Sequence, residues 1–509
     1  MSSVQPQPFV TCSQPPRSSH GVGAEPLHPR PVRPSPSRVA GVLSSLTLVC
    51  VVLVLLTMTG CLYPRLSSTR FSTSKGQAWF IQGVRVFDGE QFLPPQNVLI
   101  RGGKIQAVAP LMSLQPPPDA QVINGTGLTL LPGMVDMHVH LGSPGNAPWE
   151  LYVYPAADLA RAQTYAGVTR ALVANNPNGE ARLARRIEKG RLAAPQLYLA
   201  GPGITAPGGH PIPLLKALVP FKALHGILEK SVPGASTPEE VRAIVKKHAE
   251  QHKTPYFKIF FDAMPPSEPQ LSRALLEVAA KEARAQGMLP IAHVGSCNDM
   301  VAAAEAGVAL IMHTPYKDTL TADQLNRLKE LGVPFVSTLR IYEGWTDATR
   351  AAFSPLTLEM TPPKMLTAFQ QRPVDYQPEG LKDMEASFPK YAENARLNAW
   401  RLIEAGVPYF VGTDAGVPGL FQGAALHNEV DVLNTMGLPK AQILRRLTLD
   451  AVRFLEPSGE VGKIQAGQAA DLLLVKGNLE EDIQALHQLH SVMVGGRWVE
   501  RRPGGQASP

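Results

Sequence analysis

Short apolar runs alternate with amphipathic segments through the middle of the 509-residue chain. The amphipathic segments repeat their apolar positions every three or four residues, which predicts helices. One of them, STPEEVRAIVKKHAEQ, opens with Ser236 and Thr237 followed by two acids, a pattern typical of a helix N-terminus. The apolar runs have the length of strands and fall at 134–141, 168–174, 196–201, 255–261, 289–294, 308–314, 334–339 and 408–413. Eight strands with intervening helices predict an α/β fold, a (β/α)8 TIM barrel over 132–458.

The two flanks of this region have a different pattern, with short strand-like runs separated by turns. Residues 78–131 and 459–503 share it, which predicts a small β-sandwich domain built from both ends of the mature chain. Residues 341–395, between the seventh and eighth strands, are too many for an ordinary loop and predict a helical cap over the barrel mouth.

The first 77 residues predict a targeting segment that precedes the folded region. Residues 1–38 are rich in Pro, Ser and Arg without periodicity and predict a disordered leader, while 62–77 predict a short tether. Residues 39–61 are uncharged and apolar, as in a signal peptide or membrane anchor. Their ending, TMTGC, resembles a bacterial lipoprotein cleavage box in which Cys61 is lipidated; an uncleaved transmembrane anchor is the alternative. Both interpretations predict an extracytoplasmic, membrane-tethered protein.

Charge and cysteine content narrow the function classes. The net charge is +6, but residues 1–70 hold six arginines and one acid, which leaves about +1 for 71–509. The predicted folded region therefore gives no signal for nucleic acid. Of the four cysteines only Cys297 lies in that region, so a disulfide framework is not expected.

Two histidines interrupt the first predicted strand, in LLPGMVDMHVHLGSPG. Side chains two residues apart in a strand share a face, so Asp136, His138 and His140 lie together. Such a face is a poor core but suits a metal ion.

More candidate ligands stand where barrel active sites lie, at the C-terminal strand ends. Lys258 lies in the apolar run PYFKIFF, and because a buried unpaired ammonium is costly, it must be paired, neutral or modified. Single histidines at strand ends are more often structural, and an Asp after Thr often begins a helix. The coincidence of types and positions nevertheless predicts a metal site from His138, His140, Lys258, His293, His313 and Asp414.

These motifs resemble the amidohydrolase superfamily, in the branch related to imidazolonepropionase and prolidase-like enzymes. The resemblance spans about 78–500 and rests on LLPGMVDMHVH, GPGITAPGGH, PYFKIFFD, IAHVG, MHTPY, GTDAG, LHNEV and GKIQAGQAADLLLV. It implies one divalent ion bound by His138, His140 and Asp414, and a second bound by His293 and His313. It also implies a carboxylated Lys258 that bridges the two. Zn²⁺ is the usual occupant, and the ligand types also suit Mn²⁺, Fe²⁺ or Co²⁺.

The function implied is a binuclear hydrolase acting on carbon–nitrogen bonds other than peptide bonds. A hydroxide shared by the ions would attack a cyclic amide, imide or dipeptide-like substrate, with Asp414 passing the proton to the leaving nitrogen. One alternative is lactone or phosphotriester hydrolysis at the same site, and another is a non-catalytic binding lipoprotein.

Substrate contacts and partners complete the predictions. The expected partners are a small-molecule substrate, the membrane and, in a homo-oligomer, further copies of the chain. Asp136 is expected to support the ligands, and His427 is expected to be structural. Arg340 has a surface ion pair with Glu343 as its alternative role. The candidate substrate-binding residues are His210, Tyr316, Arg340 and Tyr342.

Overall fold

The computed structural model describes residues 64–504 except 151, 177–179, 220–221, 344–351, 377–381 and 458. The predicted leader 1–38 and the apolar segment 39–61 with Cys61 lie outside the described residues. Within the part that is described, no helix is both long enough and apolar enough to span a bilayer.

Strands from both ends of the described chain form one sheet. Its order is β1-β17-β16-β15-β6-β2-β3-β4, with β5 beside β2, and β6 pairs antiparallel with β15. Trp79 and Trp498 meet edge to face in its core, with ring centroids 5.9 Å apart. The strands are β1 (Ser68–Phe71), β2 (Ala78–Phe87), β3 (Phe92–Arg101), β4 (Lys104–Pro110), β5 (Ala120–Asn124), β6 (Leu128–Pro132), β15 (Leu472–Lys476), β16 (Leu489–Val494) and β17 (Arg497–Arg502).

Strand β1 corrects the predicted tether over 62–77. Residues 68–71 pair antiparallel with β17, and Ser68 lies opposite Arg502. The backbone of this polar segment is therefore part of the sheet.

Eight parallel strands occupy the eight predicted apolar runs. Strands β7 (Met134–Val139), β8 (Val168–Val173) and β9 (Gln196–Leu199) form a sheet of three. Strands β10 (Tyr256–Phe261), β11 (Leu289–Val294), β12 (Leu310–Ile311), β13 (Phe335–Val336) and β14 (Tyr409–Phe410) form a sheet of five. Parallel bridges from Ile204 to Ile259 and from Val139 to Ala415 link the edges of the two sheets.

One apolar cluster draws a residue from every one of these eight runs. The polar strand-end residues come later in the same runs, so the cluster places them toward the carboxyl ends. Its members include Val135, Leu172, Ala200, Tyr256, Ile291, Leu310, Val336 and Phe410.

Helices connect the parallel strands, so the predicted mixed α/β fold is confirmed. Residues 238–252 form a helix that begins with a capping box, because Thr237 Oγ1 accepts the Glu240 amide while the Glu240 carboxylate accepts that of Thr237. The helices before the seventh strand are α1 (Ala156–Tyr165), α2 (Ala181–Glu188), α3 (Ile212–Leu218), α4 (Lys222–Ser231), α5 (Pro238–His252), α6 (Arg273–Ala285), α7 (Cys297–Glu305) and α8 (Ala322–Leu331).

The described residues of 341–395 are largely helical. They hold α9 (Pro355–Met360), α10 (Pro363–Gln370) and the first part of α11 (Lys382–Glu404). After β14 come α12 (Ala424–Thr435), α13 (Lys440–Leu447) and α14 (Leu449–Leu455). Short 3₁₀ turns cover Leu339–Ile341 and Ile483–His487.

Candidate metal centre

Three predicted ligands converge at the ends of β7 and β14. The Nε2 atoms of His138 and His140 lie 3.2 and 2.8 Å from Oδ1 of Asp414, and 3.3 Å from each other. One ligand atom from each residue lies within 4.8 Å of the others. Two imidazole nitrogens and a carboxylate oxygen around one point form a suitable donor set for a divalent ion.

Neighbouring residues fix this triad. Nδ1 of His138 lies 3.1 Å from the carbonyl oxygen of Met312, which makes Nδ1 the donor and leaves Nε2 with its lone pair. Asp136 accepts the backbone N–H groups of His138 and Thr413, both at 3.1 Å, and the Thr413 hydroxyl at 2.7 Å. Its carboxylate therefore ties β7 to the segment that carries Asp414, as a supporting residue does. Asp414 itself has a φ of 61°, a strained value for a non-glycine residue.

The other two predicted histidines lie next to the triad. The ring of His313 is 4.3 Å from that of His293 and 4.7 Å from that of His138, between centroids. Nδ1 of His313 lies 2.9 Å from the Thr338 hydroxyl, and its buried Nε2 has no hydrogen-bond partner among the described residues. His313 therefore has a nitrogen free for a ligand.

Lys258 is fully buried, and its Nζ has no hydrogen-bond partner in the described part of the chain. The Phe260 ring lies 5.0 Å away. Burial lowers the pKa of Lys258 to about 7, although the charge of Asp414 opposes this. A fraction of the amine is then uncharged near neutral pH and available for modification.

Electrostatics favour metal-binding protonation states. Burial, together with the nearby Lys258 cation, lowers the pKa of His138 well below its usual value, and burial has the same effect on His293 and His313. Burial would raise the pKa of Asp414, but His140, His313 and Lys258 together lower it and hold the carboxyl ionised. Neutral imidazoles and an ionised carboxylate are the forms that bind divalent ions.

The four candidate substrate-binding residues have different surroundings. His210 is buried, its ring centroid lies 4.5 Å from that of His293, and its Nδ1 has no partner among the described residues. Tyr342 is buried against Tyr316, with ring centroids 4.6 Å apart. Arg340 donates to Glu343 at 2.6 Å, which was the alternative role for this side chain. Of the four, His210 therefore has a free nitrogen close to the predicted ligands.

Sequence reasoning missed Asp262, which follows β10 and is fully buried. It accepts the Tyr316 hydroxyl at 2.6 Å, lies 3.1 Å from Nε2 of His293, and pairs with Lys317. The only signal for it was its place at the end of PYFKIFFD.

Sequence reasoning also missed Glu429, which is buried on α12 within the motif LHNEV. It accepts the backbone N–H groups of Leu339 and Arg340 at 2.8 and 3.0 Å, and so holds the turn after β13. His427 on the same helix lies 2.8 Å from the Ala166 carbonyl oxygen through Nε2, a structural contact.

Fold and site together define the class of this protein, and the chain belongs to the amidohydrolase family. The family model matches residues 129–499. The predicted superfamily is therefore confirmed, while the branch within it stays a prediction.

The chain is similar in sequence to a known enzyme and in fold to two solved structures. The dihydroorotase of Geotalea daltonii is 42% identical over 67 residues, which cover 13% of this chain and only 15% of that protein. A solved Xaa-Pro dipeptidase with bound methionine is 22% identical, with a TM-score of 0.64 over 83% of this chain and 99% of its own. Molinate hydrolase is 19% identical, with a TM-score of 0.65 over 84% of this chain and 95% of its own. The two solved structures establish a common fold of the TIM-barrel type.

Proposed function

We propose that this protein is a binuclear metal-dependent amidohydrolase that cleaves a C–N bond in a cyclic amide, imide or dipeptide-like substrate. The observation that carries the proposal is the convergence of His138, His140 and Asp414 beside His313 Nε2 and the Lys258 amine, neither of which has a hydrogen-bond partner among the described residues. The family match supports the reaction class, and the substrate class rests on the proposal alone.

The residues fit two divalent cations, Zn²⁺ in the first place. His138, His140 and Asp414 would hold one, and His293 and His313 the other. A carboxylated Lys258 would bridge them, since a cationic amine would be repelled by both ions. Bound ions of this kind lower the pKa of water and polarise a carbonyl.

Side chains of the protein would transfer the proton and orient the substrate. Asp414 is kept ionised, so its carboxylate is able to accept a proton and return it to the leaving nitrogen. Burial lowers the pKa of His210 to about 4, so its imidazole is neutral and Nδ1 is free to hydrogen-bond a polar substrate group.

The proposal includes the architecture and the location of the site. We take the eight parallel strands to close into a barrel, supported by the bridges at both sheet edges and by the cluster with a member from every strand. We take the sheet from the two chain ends to be a β-sandwich domain. The apolar segment ending at Cys61 supports an extracytoplasmic membrane tether.

A metal-reconstituted activity screen tests the function. The full chain is purified, its metal content is measured, and it is assayed against dipeptides, cyclic amides, lactones and phosphotriesters. We expect about two equivalents of metal and fastest turnover of an amide. Lactone or phosphotriester turnover far above any amide would overturn the substrate class, and a chain that binds no metal would overturn the enzyme.

Two variants separate the parts of the proposal. Lys258→Ala is expected to lose activity and metal, whereas Lys281→Ala, an exposed lysine on α6, is expected to keep both. Labelled palmitate incorporation is expected to disappear in Cys61→Ala, and incorporation that persists would rule out the lipoprotein interpretation.

A further inference from the structure

One helix presents a stripe of cations to solvent. The basic side chains of α2 and of its C-cap residue recur at i, i+3, i+4 and i+7, the spacing of a single helix face, while Leu183 and Ile187 are buried. Within the described part of the chain, none of the four cations forms an ion pair. The four exposed residues are Arg182, Arg185, Arg186 and Lys189.

Three more cations extend this stripe. Arg191 is exposed just beyond α2, and Lys75 lies against Gly190. Arg497 donates to the Gly190 carbonyl oxygen at 2.9 Å. Only two acidic residues, Glu180 and Glu188, occur in the sequence of α2 and its flanks. We call these seven cations the α2 basic face. Because residues 71–509 carry a net charge of only about +1, this face is a local concentration of positive charge.

The N-terminal segment runs along this side of the molecule. Thr69 on β1 donates to the Ala193 carbonyl oxygen, just after α2, and the Arg497 guanidinium lies 3.2 Å from the Phe71 ring centroid. The described chain begins at Pro64, three residues after Cys61, and three residues span at most about 10 Å. The residues that follow Pro64 therefore lead along β1 to contacts beside the α2 basic face.

We propose that the α2 basic face docks on anionic lipid headgroups of the membrane that holds the chain, an inference that rests on the proposed tether. Polybasic surfaces are attracted to anionic leaflets, but the attraction falls off within about one Debye length, roughly 10 Å. In the tethered protein, the attachment at Cys61 would hold the chain at the membrane surface, where that attraction acts.

Arginine labelling on vesicles tests this docking. The full chain is reconstituted into vesicles of phosphatidylcholine alone or with one third phosphatidylglycerol, treated with phenylglyoxal, and analysed by mass spectrometry. Labelling of Arg182, Arg185 and Arg186 is expected to fall roughly fivefold on the anionic vesicles and to recover at about 1 M salt. Arg85, which is exposed on β2, serves as the internal reference and should not change.

A matched pair of charge-reversal variants isolates the face, with protection of Arg191 as the readout. Changing the four α2 cations to Glu is expected to abolish that protection. Changing four exposed lysines elsewhere, with the same change in net charge, is expected to preserve it: Lys246→Glu, Lys247→Glu, Lys281→Glu and Lys329→Glu.

The outcomes keep the docking and the tether distinct. Flotation on neutral vesicles reports the tether, and lipid-dependent protection reports the face. Flotation with equal labelling on both vesicles overturns the docking and leaves the tether standing. Protection by polyuridylate at 0.15 M salt, with none by anionic vesicles, would assign the face to nucleic acid and also overturn the proposal.

Discussion

Nε2 of His293 lies 3.1 Å from Oδ2 of Asp262, and this contact decides which ring nitrogen of the histidine carries the proton. The carboxylate oxygen accepts, so His293 donates through Nε2 and keeps its Nδ1 lone pair. The Tyr316 hydroxyl and Lys317 bind the same carboxylate. Asp262 therefore connects the ends of the fourth, fifth and sixth parallel strands.

Asp262→Asn is expected to weaken metal retention. The amide loses the charge that pairs with Lys317 and orients His293, and outer partners of metal ligands are typically worth 10- to 100-fold in affinity. Equilibrium dialysis against a graded chelator measures the change. Asp119→Asn, an exposed carboxylate paired with Arg101, is the control. Unchanged metal retention in Asp262→Asn would show that the charge of Asp262 does not contribute to metal binding.

Gly295→Ala tests the same relationship from the other side. A methyl group at Gly295 would lie 2.2 Å from Oδ1 of Asp262, so the carboxylate has to move. Metal retention is expected to fall as in Asp262→Asn, and combining the two changes should add little. Gly226→Ala on α4, where a methyl group meets no atom within 4 Å, should keep full metal binding.

Lys258→Met is expected to separate metal binding from stability. Without the amine there is no group to bridge two ions, so metal content should fall. The metal-free protein should become more stable by about 1–3 kcal/mol, because an apolar side chain replaces a buried amine that has no hydrogen-bond partner in the described part of the chain. Denaturant unfolding of the chelated protein measures this. A large loss of stability would show that the amine has a structural partner.

Arg170 on β8 joins the parallel strands to the sheet built from both chain ends through two ion pairs. Its guanidinium lies 3.0 Å from Glu456 and 2.7 Å from Asp471, and its side chain is 8% exposed. Arg170→Met is expected to lower the free energy of unfolding by about 3–5 kcal/mol, because two carboxylates lose their cation. Arg101→Met, at the exposed pair with Asp119, should cost less than about 1 kcal/mol.

Acid is expected to destabilise the fold through His248. This buried ring lies 2.8 Å from the Thr254 hydroxyl, and burial lowers its pKa from the ordinary 6.5 to about 4. Between those values the unfolded chain binds more protons, so stability falls as pH drops from 6.5 toward 4, by about 1.4 kcal/mol per unit of pKa difference.

His248→Gln should flatten this dependence. Chemical denaturation of the chelated protein at pH 7, 5.5 and 4.5 measures the slope, with His490→Gln at an exposed site as the comparison. An unchanged slope in His248→Gln would assign acid sensitivity to other groups.

The sequence predicted strands and strand-end residues because both depend on local order. An apolar run specifies where a parallel strand lies, and the carboxyl ends of such strands meet. The roles of Asp262 and Glu429 depend instead on partners 31 to 90 residues away, which no spacing reveals. The sequence did not predict strand β1 for another reason. Ser-Thr-Arg-Phe has no apolar alternation, and it is a strand because it pairs with β17.

The pairing of β6 with β15 has a consequence for biosynthesis. Leu130 meets Leu474 across the centre of the sheet, so a strand made early lacks its neighbour until most of the polypeptide has been synthesised. A ribosome-bound intermediate therefore carries an open β edge, which needs a chaperone or rapid completion to avoid aggregation.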